Sequence, residues 1–159
     1  MPAPEHEDAM KATLRILHLE DNQTDAQLVH EMLDAEGISC TVTCVKTREA
    51  YEKALESESF DLILTDFSLP RFDGLSALAL ARQKRPETPM IFISGTMGEE
   101  AAVRCLQQGA TDYVLKDRLA RLPSAVRRAV AETEELALRQ KAEAKIREQA
   151  ALLDKAWTP

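Results

Sequence analysis

The chain has 159 residues, of which 45% are hydrophobic, so it is long enough to bury the core of one domain without disulfides or a structural metal. A net charge of −7 and an aromatic content of only 4% argue against a nucleic-acid surface, because phosphate neutralisation dominates such binding. The sequence has no apolar run of the roughly 18 residues that a membrane span requires, and its first residues are polar and acidic. We therefore expect a cytoplasmic protein without direct membrane insertion.

Three cysteines, Cys40, Cys44 and Cys105, are an odd number, which is typical of reduced thiols in the cytoplasm. Cys40 and Cys44 fall on one face of a predicted strand, and no second ligand pair completes a tetrahedral metal site. The pattern therefore predicts that these cysteines pack in the interior, as free cysteine commonly does.

Strands and helices are predicted to alternate along the chain after a flexible lead over residues 1–13. The predicted strands are Leu14–Leu19, Cys40–Val45, Asp61–Thr65, Met90–Ile93 and Tyr113–Leu115. The predicted helices cover residues 24–35, 48–57, 75–85 and 98–108, and a long last helix that begins near Pro123. This alternation predicts an α/β fold in three layers, with a doubly wound five-stranded parallel sheet and a long C-terminal helical extension.

Polar side chains stand at the carboxyl ends of four predicted strands. They are the carboxylates of Glu20, Asp21 and Asp66, the hydroxyl of Ser94 and the ammonium of Lys116. In an open parallel sheet, ligands bind in the crevice outside the carboxyl ends of the strands, so these groups are expected to converge. Three carboxylates, a hydroxyl and an ammonium suit a divalent cation and a phosphoryl group.

Five motifs occur in the order typical of one protein family. They are Glu20-Asp21, then Asp66 with Leu69-Pro70 and Asp73-Gly74, then Ser94-Gly95, Gly109-Ala110, and Tyr113 to Lys116. On these motifs, residues 14–128 resemble the receiver domain of two-component response regulators. The runs from Ser94 to Glu100 and from Lys116 to Leu119 are similar to those of receivers in hybrid or multi-domain sensor kinases. The resemblance implies a flavodoxin-like fold, with residues 129–159 as a helical extension.

The resemblance also implies a metal site and a phosphorylation site. Asp66 would accept the phosphoryl group, Asp21 would bind Mg²⁺ directly, and Glu20 would act through a water. The backbone carbonyl of Phe67 would be a further metal ligand. Receivers often carry two aspartates where this chain has Glu20 and Asp21, and glutamate keeps the charge on a longer side chain.

Ser94 and Lys116 would, by the same resemblance, contact the phosphoryl oxygens, and Tyr113 would reorient together with Ser94 as the switch. Many receivers have a proline in a cis bond directly after the lysine, but here Asp117 follows Lys116. A cis bond before a non-proline residue costs about 2.5–4 kcal/mol, so we expect a trans bond and an altered loop after the fifth strand.

The C-terminal helix is rich in Ala, Glu, Arg, Lys, Gln and Leu, and it exceeds the length that a five-stranded domain needs. A heptad seam passes through Leu122, Ala129, Leu136, Glu143, Ala150 and Trp157, and through Ala125, Glu132, Arg139, Ile146 and Leu153. Three charged residues interrupt this seam, which is strongest toward its end. We expect a homodimer through this helix, and the alternative is a solvated extension or a linker.

Together with the resemblance, these features imply a phosphoacceptor that takes a phosphoryl group from a histidine kinase or phosphotransfer protein. It would not be an enzyme beyond self-phosphorylation from small phosphodonors and autodephosphorylation. Its signal would be a changed surface around the fourth helix, fifth strand and last helix. It would act as a single-domain regulator or as an N-terminal piece of a larger signalling protein. The rival functions are a magnesium phosphatase with an aspartate nucleophile, and a degenerate receiver that acts as a scaffold. Such a phosphatase has a second aspartate two residues after the nucleophile, where this chain has Ser68.

Overall fold

The computed structural model describes residues 13–95 and 98–157, so residues 1–12 of the predicted flexible lead lie outside the described part. Within that part, strands and helices alternate as predicted. The strands are β1 (Leu14–Leu19), β2 (Cys40–Val45), β3 (Leu62–Asp66), β4 (Met90–Ser94) and β5 (Asp112–Leu115). The helices are α1 (Gln23–Ala35), α2 (Arg48–Ser57), α3 (Gly74–Lys84), α4 (Glu99–Gln107) and α5 (Leu122–Trp157), with a 3-10 segment (Lys116–Arg121) before α5.

Side-chain caps fix the starts of three helices. Asn22, Thr47 and Asp73 each accept a hydrogen bond from the backbone N–H three residues ahead, at the starts of α1, α2 and α3. Such caps satisfy backbone donors that have no partner inside the helix. Gly37 follows α1 with a φ of +78°, a left-handed conformation that glycine adopts without steric cost.

The five strands form one parallel sheet in the order β2-β1-β3-β4-β5. The chain therefore winds in one direction from β1 to β2 and in the other from β3 to β5. The carboxyl ends of β1 and β3 lie side by side at this reversal, where an open α/β sheet forms its crevice. The predicted doubly wound fold is confirmed.

Helices cover both faces of the sheet and bury two apolar clusters. On one face, Tyr51 and Leu55 of α2 and Ala77 and Leu78 of α3 pack against β1, β3 and β4. On the other face, buried residues of α1 and the first part of α5 pack against the alternate side chains of the same strands. No helix within the described residues is long and apolar enough to cross a membrane.

The structure corrects the prediction for Cys44 and small details of the strands. Cys44 is exposed and Cys40 is half-buried, whereas Cys105 is buried. The reason is that β2 is an edge strand, so one side of it lacks a neighbour. Strand β3 begins at Leu62, one residue later than predicted, and the side chain of Asp61 accepts a hydrogen bond from the backbone N–H of Arg15 at 2.8 Å.

Helix α5 is 36 residues long and leaves the domain after its first turns. Val126, Ala129 and Val130 are buried against the sheet, whereas the side chains from Glu135 to Ala156 are exposed apart from a half-buried Ala144. At 1.5 Å per residue, the part after Val130 extends for about 40 Å. The predicted C-terminal helical extension is therefore present.

Candidate metal centre

Three carboxylates meet at the carboxyl ends of β1 and β3. Glu20 and Asp21 follow β1 directly, and Asp66 is the last residue of β3. One carboxylate oxygen of each residue lies within 4.8 Å of those of the other two. Glu20 and Asp66 are 2% and 6% exposed, whereas Asp21 is open to solvent. The structure thus brings together all three acids that the sequence singled out.

Backbone donors hold the two buried carboxylates in place. The N–H of Ser68 donates to Asp66 Oδ1 at 3.0 Å, and the N–H of Asn22 donates to Glu20 Oε2 at 3.3 Å. Each of these bonds spans two residues, so the turn that follows the strand orients its own carboxylate. The second oxygen of each carboxylate, Asp66 Oδ2 and Glu20 Oε1, faces the ammonium group of Lys116.

Lys116 links the end of β5 to these acids. Its Nζ lies 3.3 Å from Asp66 Oδ2 and 3.4 Å from Glu20 Oε1. The peptide bond that joins Lys116 to Asp117 is trans, as the sequence predicted. The loop nevertheless delivers the ammonium group to the acids.

A third carboxylate, that of Asp25, is closer to Lys116 than either of these. Asp25 Oδ2 lies 2.7 Å from Lys116 Nζ, and Asp25 is in the first turn of α1. Asp25 is not among the site residues predicted from the sequence. In the sequence, Asp25 is an acid in the first turn of the helix that starts at the crevice. Acids are common at that position because they complement the helix dipole, so the pattern alone does not indicate a site residue.

Burial and mutual repulsion make this acid cluster electrostatically costly. Burial and then the negative charge of Asp66 raise the pKa of Glu20 to about 7. Burial lowers the pKa of Lys116, but the hydrogen bond to Asp25 and the charges of Asp66 and Glu20 outweigh it and leave that pKa above its ordinary value. Burial also lowers the pKa of the nearby His18 to about 4, so its imidazole is neutral at pH 7.

The donor set fits a magnesium ion. Mg²⁺ prefers oxygen ligands, keeps several waters and is usually held by one or two carboxylates rather than a closed cage. Glu20, Asp21 and Asp66 offer only oxygen, and the exposed side of Asp21 leaves room for water. A divalent cation would also offset the repulsion that raises the pKa of Glu20.

The remaining predicted site residues lie on neighbouring elements. Ser94 is the last residue of β4 and is buried, one position beyond Ile93, which pairs with Asp66. Phe67 follows Asp66, and its ring makes an edge-to-face contact with Phe92 at 5.6 Å between centroids. Tyr113 is on edge strand β5, half-buried against the cluster under α2 and α3.

Comparison with known proteins gives a family match over most of the chain. Residues 16–127 match the response regulator receiver domain family. The chain is 36% identical over 105 residues to a protein-glutamate methylesterase/protein-glutamine glutaminase from Archaeoglobus fulgidus, covering 65% of this chain and 30% of that protein. It is 31% identical over 123 residues to the cell cycle transcriptional regulator CtrA from Caulobacter vibrioides, covering 72% and 51%. The chain thus spans about half of the length of the second relative and less than a third of the first.

Solved structures with similar folds cover the same part of the chain. One is the receiver domain of a sensor histidine kinase from Pseudomonas aeruginosa PAO1, with a magnesium ion coordinated in its active site cleft. It is 30% identical with a TM-score of 0.64, covering 75% of this chain and 98% of that chain. Another is a CheY-like response regulator receiver domain protein from Methanospirillum hungatei JF-1, 27% identical with a TM-score of 0.67, covering 77% and 98%.

Proposed function

The chain belongs to the response regulator receiver domain family, and we propose that it takes a phosphoryl group onto Asp66 from a histidine kinase or phosphotransfer protein. The observation that carries this proposal is the surroundings of Asp66. Its carboxylate lies in a buried crevice with two further acids, and Lys116 Nζ is 3.3 Å from its Oδ2. Nucleophile, metal-binding oxygens and cation are therefore within reach of one phosphoryl group.

In the proposed reaction, a carboxylate oxygen of Asp66 attacks the phosphorus atom of a phosphohistidine. The new P–O bond forms as the P–N bond breaks, and the imidazole nitrogen leaves with the bonding electron pair and takes up a proton. Phosphoryl transfer relies mostly on positioning and on stabilising charge at the phosphoryl oxygens. The N–H of Ser68 donates to the Asp66 carboxylate, and Lys116 and Ser94 would bind those oxygens.

Glu20, Asp21, Asp66 and the carbonyl of Phe67 would hold Mg²⁺, which when bound neutralises charge on the transferred group. Glu20 would act through a water, and its N–H···O bond from Asn22 restrains the carboxylate for this role. The magnesium ion in the cleft of the P. aeruginosa receiver domain supports this assignment by analogy.

The output would be a changed surface around α4, β5 and α5. Ser94 would be drawn toward the phosphoryl group as Tyr113 reorients, a shift between two loop states that the new contacts favour. Ser94 ends β4 and pairs with Leu115, the residue before Lys116, so both lie at the same edge of the sheet. Val103 and Leu106 of α4 are exposed, and a partner would contact them.

The extended part of α5 would carry a homodimer contact or serve as a linker. Leu136, Ile146 and Leu153 of the predicted seam are 51%, 64% and 65% exposed, which suits a helical partner. The side chain of Trp157, the last seam position, lies outside the described residues. The proposed setting is cytoplasmic, with no nucleic-acid contact, since the net charge is −7.

Incubation with acetyl phosphate and Mg²⁺, followed by intact-mass measurement, tests the proposal. One added phosphoryl group is expected, and it should be absent in Asp66→Asn and after chelation of the metal. A phosphatase would instead release phosphate continuously from a small phosphomonoester. The scaffold alternative predicts neither an adduct nor turnover.

A further inference from the structure

Lys116 has more acidic partners than the proposed phosphoryl transfer uses. Its ammonium group has three N–H donors, and three carboxylates lie within 3.4 Å of Nζ. Two of them, Glu20 and Asp66, belong to the candidate metal centre, and the third, Asp25, does not. Asp25 is also the nearest of the three, at 2.7 Å.

Lys116 and a metal ion would compete for the same oxygens. A cation held by Glu20 and Asp66 takes up the carboxylate charge that now faces Lys116, and it repels the ammonium group. Lys116 must then lose these two contacts or keep weaker ones. Asp25 stands outside the metal ligand set and offers a full negative charge to which the displaced ammonium group remains bound.

Resting on the function proposed above, we infer that Asp25 is a positioning residue that retains Lys116 when a divalent cation enters the site. The contact joins the first turn of α1 to the residue that follows β5, two elements that are 91 positions apart in sequence. The contact between Asp25 and Lys116 lowers the free-energy cost of moving the ammonium group away from Glu20 and Asp66. Asp25 thereby raises the affinity of the centre for Mg²⁺ and keeps Lys116 beside the acceptor.

The role of Asp25 through Lys116 differs from a simple attraction between its charge and the metal. A charge effect would weaken Mg²⁺ binding in Asp25→Asn whether or not residue 116 carries a charge. The positioning role requires Lys116, so it vanishes when the ammonium group is removed. A double-mutant cycle separates the two explanations.

The test is the dissociation constant of Mg²⁺ by isothermal titration calorimetry for the wild type, Asp25→Asn, Lys116→Met and the double variant. Lys116→Met should bind Mg²⁺ more tightly than the wild type, and Asp25→Asn more weakly by about fivefold, the lower range for coupled sites. The double variant should match Lys116→Met. Glu31→Gln is the matched control, because it removes one charge from α1 at a residue that is bonded to Gln27, and its affinity should equal that of the wild type.

Three outcomes would overturn the inference. They are an unchanged affinity in Asp25→Asn, an equal loss on both backgrounds, and a Lys116→Met variant that binds no more tightly than the wild type. In each of these the proposed receiver function survives, because the wild type still binds Mg²⁺. A wild type that binds no Mg²⁺ would instead remove the metal-dependent function and the role of Asp25 with it.

Discussion

Gly74 lies against the ring of Phe67, the residue that follows the proposed acceptor Asp66. A Cβ atom at Gly74 would come within 2.7 Å of Phe67 Cδ2 and 2.9 Å of Phe92 Cε1. Both distances are shorter than van der Waals contact, and both rings belong to the packed core beneath the site. The first residue of α3 therefore has to be small for Phe67 to keep its place.

Gly74→Ala is expected to destabilise the protein by about 1–3 kcal/mol, the usual cost of overpacking a core. It should also weaken Mg²⁺ binding, since a displaced Phe67 moves the carbonyl proposed as a metal ligand. Chemical denaturation and metal titration measure the two effects. Gly95→Ala is the control for stability, because the nearest atom to its added Cβ would be Lys116 Cδ at an ordinary 3.9 Å. A Gly74→Ala variant as stable as the wild type would contradict the close contact.

Asp73 caps α3 through two bonds to one residue. Asp73 Oδ1 accepts from the backbone N–H of Ser76 and Asp73 Oδ2 accepts from its hydroxyl, both at 2.8 Å. Asp73→Ala should lower the free energy of unfolding by about 0.5–2 kcal/mol, whereas Asp73→Asn, which can still cap, should lose much less. Equal losses in the two variants would exclude the cap as the cause.

The contribution of Asp73 to the free energy of unfolding should decrease at acidic pH. The bonds from Ser76 hold the pKa of Asp73 below its ordinary value, so the folded state favours the ionised form. This stabilisation is complete above the unfolded pKa of about 3.9 and is lost as the pH falls through the lower folded value. The stability difference between the wild type and Asp73→Ala is therefore expected to narrow only below about pH 4. Denaturation curves at neutral and acidic pH measure this. A stability difference between the wild type and Asp73→Ala that stays constant over that range would contradict the expectation.

The exposed seam of α5 predicts self-association. Ile146→Glu combined with Leu153→Glu should shift a concentration-dependent dimer to monomer. Both apolar side chains are more than 60% exposed in the single chain, and charges at these positions would oppose their burial between two helices. Ala144→Glu with Ala151→Glu introduces the same charges beside the seam and should leave the dimer largely intact. Sedimentation velocity over a range of concentrations measures the fraction of dimer in the wild type and in each double variant. A wild type that stays monomeric throughout would favour the linker alternative.

Much of the fold was predictable because the pattern of apolar residues repeats in each unit. Buried strands such as Leu62–Asp66 are mostly apolar runs that end in a polar residue, and such runs alternate with helical patterns along the chain. The order of the strands is what the local pattern does not contain. Cys44 was placed in the interior for that reason, whereas the structure puts its strand at the edge of the sheet.

Site residues at the carboxyl ends of strands were predictable from the sequence, whereas a site residue contributed by a helix was not. Glu20, Asp21 and Asp66 converge because parallel strands end at one edge. Asp25 escaped notice because an acid in a first helical turn has an ordinary explanation in the helix dipole. Only its 2.7 Å contact with Lys116, across 91 positions of sequence, separates it from such acids.

The most direct test of the central claim identifies the residue that carries the phosphoryl group. After treatment with acetyl phosphate and Mg²⁺, borohydride reduction converts an acyl phosphate of aspartate to homoserine, which tandem mass spectrometry can locate in a peptide. Homoserine is expected at position 66, and none there in the Lys116→Met variant, because Lys116 is proposed to bind the phosphoryl oxygens. Homoserine at Asp21 or Asp25 instead, or a phosphorylated protein with no reducible carboxyl phosphate, would contradict the assignment of Asp66 as the acceptor.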